Sequence, residues 1–230
     1  MYQILQDVNS GDLTVETAPP PTLQSGSVRI RTAASLISAG TEKMLMNLAQ
    51  KSLVGKAKAR PDLVKQVINK AKKEGLWRTY KKVRNKLDDP MPLGYSAAGI
   101  VEEVGDEVNG IRIGDRVAVA GAGYANHAEL NVVPKNLVAL MPEDVLFEEA
   151  AYTTVASIAM QGVRLARPQL GEHVVVVGLG LVGLLTVQLL KANGCRVLGI
   201  DLDDSKVKKV LETGLDVGVN SSEENAAAAG

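Results

Sequence analysis

Apolar and polar positions alternate in three short runs at the start of the chain. Tyr2 to Gln6, Leu13 to Thr17 and Ser27 to Ala34 are separated by Asn9-Ser10-Gly11 and by Pro19-Pro20-Pro21. In the third run Val28, Ile30 and Thr32 take turns with Arg29 and Arg31, the period-two signature of a half-buried strand. Residues 36–42 (LISAGTE) read as a loop. The period then lengthens. Arg60-Pro61-Asp62 opens a helix in which Leu63, Val64, Val67, Ile68 and Ala71 share one face, and Gly75 should end it. A second helical stretch follows through Trp77, Tyr80, Val83 and Leu87.

From Pro90 the strand pattern resumes in residues 91–104, in 111–117 after a tight turn, in 124–133 and in 137–141. Phe147, Ala150, Ala151, Val155 and Ile158 then keep a helical spacing expected to run to Arg164. These shifts divide the chain into a β-rich unit, 1–145, carrying a helical insert at 43–89, and an α/β unit, 146–230. The boundary falls near 142–152.

The α/β unit contains the sharpest pattern in the sequence. Val174 to Val177 read as a parallel strand buried on both faces, and Gly178, Gly180 and Gly183 follow at once. A G-x-G-x-x-G run at a strand-to-helix junction makes a tight turn, lets backbone approach a pyrophosphate, and brings helix and strand close. Leu181 and Val182 open the helix, whose first-turn amides suit a phosphate. Gly194 should end it. A second strand, Arg196 to Ile200, runs into Asp201, placed to accept hydrogen bonds from ribose hydroxyls and so to favour NAD. Lys206 lies nearby and suits a 2′-phosphate, which keeps NADP open. Ser205 should cap the next helix, to Leu211, and residues 216–220 form a third strand. The unit reads β-α-β-α-β.

Composition changes this picture little. The net charge is zero, yet residues 43–89 hold fourteen Lys or Arg against four Asp or Glu, so the insert is a basic, amphipathic block. Its basic face can be solvated, dock a partner domain, or meet an anionic lipid or glycan surface; no nucleic-acid module is recognisable. Cys195 is the only cysteine, which excludes an intramolecular disulfide and a multi-cysteine zinc site. No signal-like N-terminus or long apolar run occurs, so a cytoplasmic chain with no transmembrane segment is expected.

Gly99 to Gly105 (GIVEEVG), Gly114 to Val117 (GDRV) and Gly178 to Gly183 (GLGLVG), in this order, resemble the medium-chain dehydrogenase/reductase family of zinc alcohol dehydrogenases and their zinc-free relatives. The insert and LISAGTEK further resemble the N-terminal half of bacterial two-part oxidoreductases. The resemblance implies a chaperonin-like β-barrel substrate domain followed by a Rossmann domain, of which this chain holds the first half. It also implies NAD(P)-dependent hydride transfer to or from a small carbonyl or alcohol substrate, possible pairing with a partner oxidoreductase domain, and a fragment lacking the usual dimerisation strand.

The family's catalytic zinc ligands fall at Ala39, Tyr95 and Thr153 or Thr154, none of which supplies a thiolate, imidazole or carboxylate. No zinc is expected. Thr41 matches the family's relay hydroxyl or merely closes its loop. Tyr95 is a hydrogen-bond donor in the cleft or fills the metal's volume. Glu42 matches an acid that orders the loop through a basic partner, and His127 reads as a structural histidine. A second reading makes the chain a non-catalytic nucleotide-fold scaffold that docks an anionic partner through the basic insert.

Overall fold

The computed structural model describes residues 1–8, 10–49 and 90–222. The helices expected between Arg60 and Leu87 lie outside the described residues. Two compact units divide the chain, Met1–Ala151 and Tyr152–Gly230.

In the first unit β1 (Tyr2–Gln6) pairs antiparallel with β2 (Leu13–Thr17) and with the short β4 (Met91–Pro92). The second sheet is built from β3 (Ser27–Ser35), β5 (Ser96–Val104), β6 (Arg116–Ala120), β7 (Leu130–Pro134) and β8 (Val138–Leu140). Its strands run antiparallel in the order β7-β3-β5-β6-β8.

The alternation in β3 decides its inner face. Val28 and Ile30 are fully buried and pack with Ala97, Val101, Val117, Val119 and Val133 from the neighbouring strands. Arg29 and Arg31 leave by the other face and pair with Glu103 and Glu102 of β5. Each buried valine of this set contributes about 1.5–3 kcal/mol of transfer free energy, whereas exposed pairs such as Arg31–Glu102 contribute about 0–1 kcal/mol. Burial, and not charge pairing, holds the unit together.

Several elements depart from the sequence pattern. Helix α1 (Ala39–Ala49) begins inside the expected loop at 36–42 and takes up the start of the expected insert. The run 91–104 is cut in two at Gly94, whose φ is 96°; a Cβ there would lie 2.7 Å from the His127 backbone nitrogen. Residues 111–115 form the turn and β6 starts only at Arg116; likewise residues 124–129 hold turns, bends and one isolated bridge, Gln3 to Ala128, and β7 starts at Leu130. The helix expected from 147 to 164 breaks into α2 (Phe147–Ala150) and α3 (Thr153–Ala166).

The second unit is a parallel sheet of β9 (His173–Val177), β10 (Arg196–Asp201) and β11 (Val217–Asn220), in the order β11-β10-β9. Helix α4 (Leu181–Ala192) links β9 to β10, and α5 (Asp204–Leu211) links β10 to β11. Gly194, with φ of 80°, follows α4 in the left-handed conformation that commonly closes a helix. The cap of α5 is Asp203, not Ser205: its carboxylate accepts the Ser205 N–H at 3.0 Å.

Val176 and Val197 join Leu179, Val187, Leu190, Val207 and Val210 in one apolar cluster, and the single thiol of Cys195 is buried within it. Among the described residues, the expectation that β9 is buried on both faces is met on one face only. Val175 and Val177 are 58% and 78% exposed. Helices α4 and α5 supply their apolar residues to the Val176 face alone, so among the described residues nothing of this unit covers the other. No helix among the described residues is long and apolar enough to cross a membrane.

Candidate functional site

The glycine loop between β9 and α4 divides its work among its three glycines. Gly178 has φ of 89°, the conformation that favours glycine, and turns the chain out of the strand. Around Gly180, the N-cap of α4, the space where a side chain would begin is open, and no side chain caps the helix. The first-turn amides, those of Leu181 and Val182 among them, therefore have no side-chain acceptor, the arrangement that receives an anion at a helix N-terminus. Gly183 is closed in: a Cβ there would sit 1.9 Å from the Gly178 carbonyl oxygen. The second glycine leaves room outside the fold; the third removes bulk inside it.

Asp201 stands at the end of β10, alongside the same loop. Its Oδ2 accepts the Leu179 N–H at 2.7 Å, and its Oδ1 accepts the Asp203 N–H at 3.0 Å. The Lys206 Nζ lies 3.5 Å from Oδ1. Burial pushes the Asp201 carboxyl up, but the two backbone N–H groups and the Lys206 ammonium outweigh it and hold it below the usual carboxylate range. The glycines and Asp201, eighteen or more residues apart in sequence, are thus tied together by Leu179. Sequence reasoning overlooked Leu179 because its contribution is a backbone amide, which residue type does not encode.

In the β-rich unit Thr41 lies in the first turn of α1 with an exposed side chain, and its Oγ1 is 3.4 Å from the Ser38 Oγ. Glu42, one residue on, is buried; its Oε1 accepts the Ser38 N–H at 2.9 Å and faces the His127 Nε2 at 3.3 Å. The other ring nitrogen of His127 meets the Ser35 Oγ at 2.8 Å. Ser35 and His127 also line a cleft of about 310 Å³ shared with Tyr2, Ile4 and Thr32.

Tyr95 is half-buried between β4 and β5, and its carbonyl accepts the Gly121 N–H at 2.9 Å. The next residue, Ser96, is buried and donates its hydroxyl to the Ala151 carbonyl at 2.5 Å. In the second unit Thr153 and Thr154 begin α3. At the positions that the resemblance matches to the family's zinc ligands, no residue is a His, Cys, Asp or Glu. Ala39 offers a methyl and Tyr95, Thr153 and Thr154 neutral hydroxyls; among the described residues no group of three or more His, Cys, Asp or Glu is arranged to hold a metal.

An antiparallel β unit followed by a strand, a glycine loop and a helix defines a class in which a chaperonin-like domain precedes a nucleotide fold. Residues 67–143 match the alcohol dehydrogenase GroES-like domain. An alcohol dehydrogenase of Geobacillus stearothermophilus is 30% identical over 171 residues, 60% of this chain and 49% of the relative. Human sorbitol dehydrogenase is 30% identical over 59% of this chain and 46% of its own length. A mouse quinone oxidoreductase is 33% identical over 59% of this chain and 42% of its own. The chain spans about half the length of these curated relatives.

Among solved structures, galactitol-1-phosphate dehydrogenase from Escherichia coli superposes with a TM-score of 0.74 at 21% identity, over 99% of this chain and 63% of that one. An Escherichia coli quinone oxidoreductase complexed with NADPH gives 0.72 at 21%, over 98% and 60%. In residues 67–143, and in its fold, the chain is similar to alcohol dehydrogenase-like proteins of the medium-chain dehydrogenase/reductase type.

Proposed function

We propose that this chain is the substrate domain and the first half of the cofactor domain of a zinc-independent, NAD(P)-dependent oxidoreductase. The observation that carries the reading is the loop at Gly178–Gly183, with open space at Gly180, uncapped amides behind it and the Asp201 carboxylate fixed beside it. Leu181 and Val182 offer backbone amides to the pyrophosphate, and Asp201 accepts from the adenosine ribose, which favours NAD over NADP. Lys206 already faces Asp201, so its charge is spent on that carboxylate before any 2′-phosphate. The bound dinucleotide would accept or donate the hydride.

With no metal ligands at Ala39, Tyr95 and Thr153 or Thr154, the substrate oxygen depends on hydrogen-bond donors. Thr41 relays its proton and Tyr95 donates to it. The sorbitol dehydrogenase and galactitol-1-phosphate dehydrogenase among the relatives support a polyol or sugar-related alcohol, or its carbonyl form, as substrate.

Calorimetric titration of the chain with NAD and NADP, alongside Gly180→Val, tests the cofactor site. NAD should bind the parent chain more tightly than NADP, and Gly180→Val should lose that binding while keeping its circular dichroism and a cooperative melt. Unchanged NAD affinity in the folded variant would sink the site. Replacing Thr41 by Val in a chain that turns over should then lower kcat.

A further inference from the structure

A buried carboxylate is costly unless hydrogen bonds or a cation compensate it. Glu42 is 8% exposed and His127 is 8% exposed, and they face each other across 85 residues of sequence. With Glu42 ionised the carboxylate only accepts, and the hydrogen bond between them then uses a proton on the His127 Nε2. That fixes the ring, and its Nδ1 then pairs with the Ser35 hydroxyl at the end of β3.

The segment holding His127 is itself anchored. Its N–H donates to the Leu93 carbonyl at 2.7 Å, its carbonyl accepts the Ile4 N–H at 2.9 Å, and Gly94 lets the two backbones touch. The first turn of α1, by contrast, contains Gly40, which weakens a helix by about 1 kcal/mol relative to Ala. Its outside attachment is Glu42, which holds both the Ser38 N–H and the His127 ring. Thr41 sits in that turn, against Ser38.

We propose that His127 and Glu42 are positioning residues for Thr41: the imidazole, braced by Ser35, holds the first turn of α1 so that the exposed Thr41 hydroxyl has one fixed place. This rests on the reading of Thr41 as the relay hydroxyl. The two residues touch no substrate. They act through the backbone of residues 38–42.

The chain has two histidines, so His173→Gln leaves His127 as the only imidazole signal. In that background, nitrogen-15 spectra of the full chain should show Nε2 protonated; a neutral ring protonated on Nδ1 alone overturns the proposal. Hydrogen exchange at residues 38–42 should speed up about tenfold or more in His127→Leu. It should stay near the parent rate in His127→Gln, whose side-chain amide can still donate to Glu42. Unchanged exchange in His127→Leu overturns the proposal whether or not the chain is active. Should His127→Leu fail to fold, Ser35→Ala removes the ring's other partner and serves the same comparison.

Turnover separates this proposal from the reading beneath it. With His127→Leu, kcat should fall about tenfold or more at unchanged KM for the nucleotide, His127→Gln should restore it, and Thr41→Val added to His127→Leu should cost little further. A loss in Thr41→Val without one in His127→Leu overturns the positioning role and leaves Thr41 standing. No loss in Thr41→Val removes the relay reading and the proposal with it.

Discussion

Gly180 and Gly183 lie one helical turn apart and answer to different demands. Gly183→Ala must force a methyl against the Gly178 carbonyl, and should destabilise the second unit by about 1–3 kcal/mol or more, read as a lower denaturation midpoint. Gly180→Val meets open space and costs only the poorer N-cap of α4, so it should lower that midpoint less than Gly183→Ala does. Asp201 adds a dependence on acid. Because its folded carboxyl titrates below the usual range, the charged form is favoured by folding. That contribution is complete above the unfolded value of about 3.9 and is lost as pH falls through the lower folded one. Asp201→Asn should therefore flatten the fall of melting temperature with acid, and an unchanged pH profile would count against the Leu179 and Lys206 contacts as a source of stability.

At the scale of elements, most of what depends on local pattern was legible. The alternation in β3, the strand and helix around the glycines, and the parallel order of the second unit follow from period and composition. What was not legible depends on distant partners. Helix α1 starts at Ala39, within a stretch weakened by Gly40, because Glu42 reaches back to the Ser38 N–H while His127 holds its carboxylate from 85 residues away. The valine run of β9 carries the composition of a strand covered on both faces, yet exposure is set by which face receives α4 and α5. The break between α2 and α3 likewise has a tertiary cause, since the Ser96 hydroxyl takes the Ala151 carbonyl out of the helical ladder. Ser96→Ala leaves that carbonyl without its donor and should cost about 1–3 kcal/mol, measured by urea unfolding.

For the whole molecule, Cys195 supplies a single internal reporter. Its thiol is 2% exposed within the cluster of the second unit, so modification by a thiol reagent requires that unit to open. Under native conditions labelling should be slow and should track local unfolding. If NAD binds the glycine loop, saturating nucleotide should slow labelling further, by the factor that mass action assigns to a ligand of the folded state. Labelling at the same rate with and without NAD would argue against binding to this unit.

The bond from the Leu179 amide to Asp201 bears on how coenzyme preference can change during evolution. If Asp201 recognises a ribose as proposed, it also anchors the turn beside it and cannot be exchanged freely. Substituting Asp201 with Ala would release Lys206 toward a phosphate ester, but would also strand the Leu179 N–H in the proposed dinucleotide loop. A lineage moving between the two coenzymes at this position would pass more easily through Asn or Ser, which keep an acceptor for that amide, than through any apolar intermediate.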